Sequence, residues 1–214
     1  MLIGLGSGST SNIFTDLLGE QIKSGALKDI LAVPTSESTA ARARALGIPL
    51  TTLSQLVKAH RPAVLDLAVD GADEVDPRLN LIKGLGRALL REKIVEAHAR
   101  CFIVIVDQSK IVTRLGEKVP LPVEILPFEA EAHISWLNSL GCRAEIWLEP
   151  DGSRVVTDNG NYLVRCWFED GIMDAYDLAG RLAERPGIIE HGLFLDMASR
   201  VIVSGAVGIE VLEK

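Results

Sequence analysis

The sequence predicts an α/β protein: a parallel sheet with helices on both faces, joined to a smaller α+β domain. Three observations predict it. Continuous apolar runs of strand length alternate with helix-length stretches as far as residue 110, the pattern of strands buried on both faces. Each of those runs ends in a polar or glycine-rich segment. After Pro120 the alternation gives way to short strand-like runs separated by turn signals.

Leu2-Ile-Gly-Leu5 reads as a short buried strand, followed by the Gly/Ser-rich stretch Gly6–Thr10. Ile13, Leu17, Leu18 and Ile22 then recur at helical spacing. Ile30–Val33 is the second apolar run, ended by Pro34-Thr35-Ser36 and followed by an Ala/Arg-rich helix over 37–46. The third run, 63–69, stops at the acidic stretch Asp70–Asp76, and a helix covers about 87–99. Phe102–Val106 is the fourth, ended by Asp107-Gln-Ser-Lys110. Beyond Pro120, the proline-punctuated segment Leu121–Pro127 reads as extended linker, and Glu129–Leu140 as a helix stopped by Gly141. Strand-like runs at about 143–148, 153–157 and 161–168 are separated by Pro150-Asp-Gly152 and Asp158-Asn-Gly160, both turn signals. A helix spans 174–184, and the apolar run Val201–Ile209 returns to the first sheet. This division puts residues 1–120 and about 196–214 in the sheet domain and 121–195 in the smaller one.

The 214 residues are 48% hydrophobic and 24% charged, ordinary globular usage with enough chain to bury a core. A formal charge of -7 would repel a phosphate backbone, which disfavours nucleic acid and anionic membranes as partners. A local basic pocket for one small phosphate is still compatible with it. Aromatics, at 5%, are too few for a stacking platform along single strands. Cys101, Cys142 and Cys166 are widely spaced in apolar contexts, so neither a disulfide framework nor a zinc site is indicated. No run approaches the roughly 20 apolar residues of a membrane span, and the N-terminus has no secretory pattern. The expected location is the cytoplasm.

In an open parallel sheet, ligands gather beyond the carboxyl ends of the strands. Ser7–Thr10, Thr35–Ser36, Asp70–Asp73 and Asp107–Lys110 all follow apolar runs, so as parallel neighbours they share one rim. Gly4-Leu-Gly6-Ser-Gly8-Ser9-Thr10 is a strand-to-helix turn whose backbone N–H groups suit a phosphate. It has no Gly-Lys-Ser/Thr, and the third glycine of the dinucleotide fingerprint is missing. The plainer reading is a structural turn with Ser9 or Thr10 as the helix cap. Asp70, Asp73, Glu74 and Asp76 crowd seven positions without the alternation of a calcium loop; solvated acids and a divalent-metal site are the other readings. Lys83, beside Gly84-Leu85-Gly86, puts a cation next to flexible backbone, suited to a phosphate or a developing oxyanion. By itself, Glu92 in Arg91-Glu92-Lys93 reads as a solvated helix-face charge, and Lys110 as a surface lysine past a strand. The four histidines, 60, 98, 133 and 191, share no spacing and read as structural.

In order along the chain, the stretches GLGSGST (4–10), PTSEST (34–39), DLAVDGADEVD (66–76), ALLREKIV (88–95), DQSK (107–110) and LGEKVPLPVEILPF (115–128) resemble the ribose-5-phosphate isomerases of the A type. TDNGN (157–161) and PGIIEHGLF (186–194) extend the resemblance into the second domain. It implies a Rossmann-like domain plus a ferredoxin-like α+β domain. The implied activity is metal-free interconversion of ribose 5-phosphate and ribulose 5-phosphate in the non-oxidative pentose phosphate pathway. No cofactor is implied, and the chain would assemble as a homodimer or homotetramer. Carried over by motif, Glu92 is the base, Lys83 stabilises the enediolate oxygen, and Asp70 and Asp73 hold sugar hydroxyls and assist ring opening. The implied substrate loops are Ser7, Gly8, Ser9 and Thr10 near the phosphate, Asp70-Gly71-Ala72-Asp73, Lys83-Gly84-Leu85-Gly86, and Lys110.

The chain departs from the family pattern in two places. Leu85 and Arg87 replace a glycine-richer loop, where their side chains would either crowd the substrate or add a cation. The family normally has a helix before the first strand, whereas here that strand begins at Met1; the expectation is a truncated start, natural or assigned, so that restoring about 20 upstream residues, if encoded, raises the melting temperature. The competing readings are a non-catalytic sugar-phosphate sensor, acyl-CoA transfer through a glutamate nucleophile, and a nicotinamide-dependent dehydrogenase. The intact Asp70/Asp73/Lys83/Glu92 set and the failed fingerprint argue against the first and the last.

Overall fold

In a computed structural model, residues 1–206 and 208–213 are described. The chain runs through β1 (Leu2–Leu5), α1 (Ser9–Lys23), β2 (Leu31–Pro34), α2 (Glu37–Ala45), α3 (Leu53–Lys58) and β3 (Leu67–Asp70). Two short strands follow, β4 (Glu74–Val75) and β5 (Leu81–Ile82), then α4 (Leu89–Ala97) and β6 (Phe102–Asp107). A 3-10 turn over Gln108–Lys110 leads to β7 (Leu121–Ile125), α5 (Ala130–Asn138), β8 (Arg143–Ile146), β9 (Tyr162–Trp167) and α6 (Ala175–Glu184). The last elements are β10 (Ile188–His191), β11 (Leu193–Phe194), β12 (Arg200–Gly205) and β13 (Gly208–Glu213).

These elements divide into two units, Met1–Gly71 with Arg91–Gln108 and Met197–Lys214, and Ala72–Leu90 with Ser109–Asp196. The first holds a six-stranded sheet in the order β13-β12-β6-β3-β1-β2, parallel except for the edge strand β13. Its faces are covered as the alternation along β1 requires. Ile3 and Leu5 pack with Leu18 of α1 and Ala43 of α2, whereas Leu2 packs with Leu56 of α3 and Val95 of α4. The strand order reverses between β1 and β3, so the loops leaving those two strands lie side by side at the switch point.

The second unit contains the succession β7-α5-β8-β9-α6-β10, folded as an antiparallel sheet in the order β10-β7-β9-β8. That is the ferredoxin-like arrangement. Leu121, Val123 and Ile125 meet Ala130 and Leu137 of α5 and Leu178 and Leu182 of α6 in its main core. A smaller cluster joins Leu163 to Val155 and to Leu89, at the start of α4. A third sheet, β11-β5-β4, is built of two-residue strands.

Several elements differ from the sequence expectation. Leu121–Ile125 is an inner strand rather than a linker. Its Pro122 lies beyond the last β10 pair, His191↔Val123, where a missing N–H costs no ladder bond to β10. The stretch 153–157 forms only isolated bridges, Leu148↔Arg154 and Val156↔Tyr162. The last apolar run is a hairpin of β12 and β13. Residues 72–90 and 109–120 group with the second unit, because β4 and β5 pair toward β11 and because Ile82, Val112 and Leu115 belong to its core. Among the described residues no helix is long and apolar enough to cross a membrane.

Candidate active site

In the first unit, the β1-to-α1 turn is held from below by hydroxyls. Ser7 Oγ lies 2.8 Å from the hydroxyls of both Thr35 and Ser36 and 3.2 Å from that of Thr39. Thr39 in turn donates to the carbonyl of Gly6 at 3.0 Å. Gly8 is the N-cap of α1 with φ 99°, a left-handed conformation suited to glycine. Neither Ser9 nor Thr10 caps the helix, since no side chain accepts a bond from its first amides. That corrects the capped-turn reading and leaves the first-turn amides at the positive end of the helix dipole.

Next to this turn stands Asp70, the last residue of β3 and 1% exposed. Its Oδ1 accepts from the Ser11 hydroxyl at 2.5 Å and from the Gly71 amide at 2.7 Å. A Cβ on Gly6 would collide with the Asp70 carboxylate, so this strand end must be glycine. Glu92 belongs to the first turn of α4 and is 3% exposed, which excludes the solvated helix-face reading.

In the second unit the acidic run separates into two roles. Glu74 is fully buried, and its carboxylate accepts the amides of Gly116, Lys118 and Val119 at 2.5, 2.6 and 2.9 Å. Asp76 accepts the amides of Arg78 and Asn80, closing a turn. These two are structural, a function that the count of acids alone did not reveal. Asp73, half-buried after Ala72, accepts the Leu85 amide at 2.9 Å. This bond ties the substrate-loop candidate Gly84-Leu85-Gly86 to the acid. Lys83 follows β5, is 3% exposed, and has its Nζ 5.4 Å from the centre of the Phe194 ring.

Lys110 ends the 3-10 turn, half-buried. On either side of it, Lys118 Nζ donates to the carbonyls of Ser109 and Ile111 at 2.6 and 2.9 Å. Arg87 is bound to Glu149 and lies over Trp147 within the unit, so it is not the spare cation the sequence allowed. Sequence reasoning missed Ser11, Thr39 and Glu74 as supports. Among the described residues, no group of three or more His, Cys, Asp or Glu side chains is placed to hold a metal ion.

The first unit carries a glycine turn at a helix start and buried acids on a sheet with a switch point, and the second carries a buried lysine: the equipment of an acid–base enzyme for a small phosphorylated ligand. The family model described as ribose 5-phosphate isomerase A (phosphoriboisomerase A) matches residues 31–208. The chain is 48% identical to the ribose-5-phosphate isomerase A of Roseiflexus castenholzii, covering 100% of this chain and 88% of that protein. A solved D-ribose-5-phosphate isomerase in complex with phospho-erythronic acid superposes with a TM-score of 0.94 at 44% identity, over 100% of this chain and 91% of the other. The ribose 5-phosphate isomerase of Plasmodium falciparum superposes at 0.93 with 40% identity and the same coverage. This chain belongs to the ribose-5-phosphate isomerase A family.

Proposed function

We infer that this chain interconverts D-ribose 5-phosphate and D-ribulose 5-phosphate, in the non-oxidative branch of the pentose phosphate pathway. The observation that carries the reading is the family match over 31–208 in a chain whose Glu92, Lys83 and Asp70 are all buried. The reaction removes the proton from C2 of the open-chain aldose and returns one to C1, while the O2 hydroxyl gives up its proton and O1 gains one. The electron pair left at C2 passes through an enediolate, whose oxygen charge must be met by a cation or donors.

Glu92 takes and returns the carbon-bound proton, and Lys83 meets the enediolate oxygen. Asp70 and Asp73 hold the sugar hydroxyls, and a carboxylate there assists opening of the cyclic sugar by moving a hydroxyl proton. The first-turn amides of α1 with Ser7, Gly8, Ser9 and Thr10 receive the phosphate, and Lys110 adds a charge to the same substrate. Gly71, Ala72, Gly84, Leu85 and Gly86 contribute backbone contacts. We place the enzyme in the cytoplasm as a homodimer or homotetramer. The largely exposed Phe128 and Met173 of the second unit support assembly, and a sedimentation mass of a single chain would refute it.

The test is conversion of ribose 5-phosphate by the wild-type chain with chelator present, beside Glu92→Gln. Glutamine keeps the shape but cannot accept a proton, so turnover should fall by about 10²–10⁴ with KM little changed. Turnover that survives the substitution moves the base to another residue. Absence of wild-type turnover with ribose 5-phosphate still bound supports the sensor reading.

A further inference from the structure

Within the second unit, the turn that follows Lys83 is fastened to the β8-side hairpin by one side chain. The turn is closed by the Arg87 amide donating to the carbonyl of Gly84 at 2.9 Å. Arg87 has φ 67°, a left-handed conformation in which every side chain except glycine's is strained. Its guanidinium engages the Glu149 carboxylate through both Nη atoms, the Nη2–Oε2 bond being 3.1 Å. The same group stacks 5.4 Å from the centre of the Trp147 ring. Arg165 also lies 5.4 Å from that ring and is itself paired with Glu145 at 2.9 Å.

The receiving side is rigid. Trp147 donates to Leu163 at 2.8 Å and accepts from Val155 at 2.9 Å, while Glu149 donates to Ser153 at 2.8 Å. A bidentate pair that is also stacked on an aromatic face fixes both the distance and the tilt of the guanidinium. It therefore fixes the backbone of residue 87, and with it the Leu85 amide that reaches Asp73.

We propose that Arg87 is a positioning residue for the isomerisation: the Arg87–Glu149–Trp147 latch holds the 83–87 turn in its substrate-receiving conformation before the sugar phosphate arrives. The proposal rests on the isomerase reading for its kinetic consequence, not for its structural one. A turn already ordered does not have to be ordered by the ligand, so the latch acts on binding more than on the chemical step.

The test compares wild type, Arg87→Met, Glu149→Gln and the double variant, by steady-state kinetics on ribose 5-phosphate and by hydrogen exchange of the 83–87 peptide. Each single variant is expected to raise KM about fivefold, on the scale of one half-exposed ion pair with its ring contact, while kcat changes less than about twofold. The double variant should add little to either, because both single changes break the same latch. Exchange of the 83–87 amides should rise in all three variants, with that of β7 and β9 unchanged. A silent Glu149→Gln, additive effects, or a fall in kcat at constant KM overturns the proposal. So does unchanged exchange at 83–87, even if the chain turns over no ribose 5-phosphate. Absence of wild-type turnover alongside faster exchange in the variants overturns the isomerase reading and leaves the latch standing.

Discussion

Gly6 shows how narrowly one residue constrains the site. Any side chain there meets the Asp70 carboxylate, which is already held by Ser11 and by its own neighbouring amide. Gly6→Ala should therefore move Asp70 rather than merely crowd it. The expected outcome is a loss of about 10² in kcat/KM on ribose 5-phosphate, the scale of an ångström-sized misplacement, with a stability loss of about 1–3 kcal/mol from overpacking. Gly180→Ala is the matched control. Gly180 lies inside α6 with no atom within 4 Å of an added Cβ, so that variant should gain up to about 1 kcal/mol and keep full activity. At this scale much of the candidate site stands out in sequence: Asp70 and Asp73 lie in a segment that follows an apolar run, and Lys83 stands beside the flexible backbone of Gly84-Leu85-Gly86. Glu92 was not legible from its pattern, since Arg91-Glu92-Lys93 is what a solvated helix face looks like, and only the resemblance singled it out. Its burial depends on what packs against the helix, which no local spacing encodes.

Between residue and fold, the element that frames the second unit's site residues is the two-residue strand β4. Glu74 clamps the segment 116–119 through three amides, and the carbonyl of Val75 accepts the Val112 amide at 3.0 Å. Asp73 therefore precedes a strand that also anchors the segment that follows Lys110. Glu74→Gln replaces one acceptor oxygen by a donor facing backbone donors. It should cost about 1–3 kcal/mol by thermal melting and raise KM for ribose 5-phosphate, because the 109–119 segment shifts with its clamp. A melting temperature equal to wild type would mean that the three amides find water instead. Such short strands cannot be read from periodicity, which needs several alternations to show. Strand β7 is a different failure. Leu121, Val123 and Ile125 do alternate, but Pro120, Pro122 and Pro127 pointed to a linker, and only pairing with β9 and β10 makes the segment a strand. The regular parts, β1 to β3 and β6 with α1, α2 and α4, follow from apolar runs that nothing local contradicts, whereas the six-residue α3 is too short to show a helical period.

At the scale of the whole molecule, the chain passes between its two units at four places, one of them inside the helix α4. Leu89 and Leu90 at the start of that helix belong to the second unit, and the residues from Arg91 onward to the first. A helix is a cooperative hydrogen-bonded ladder, so losing either unit removes the support for part of it. Unfolding should then be one transition in calorimetry, although each unit has a hydrophobic core of its own. Leu5→Ala empties a fully buried position in the first unit, and Leu137→Ala one in α5 of the second. Each should cost about 2–5 kcal/mol and lower the single melting temperature by roughly 2–4 °C per kcal/mol, without splitting the peak. Two resolved transitions in either variant, with one of them left at the wild-type temperature, would show that the units unfold independently and that α4 frays at Arg91 without carrying Glu92 with it.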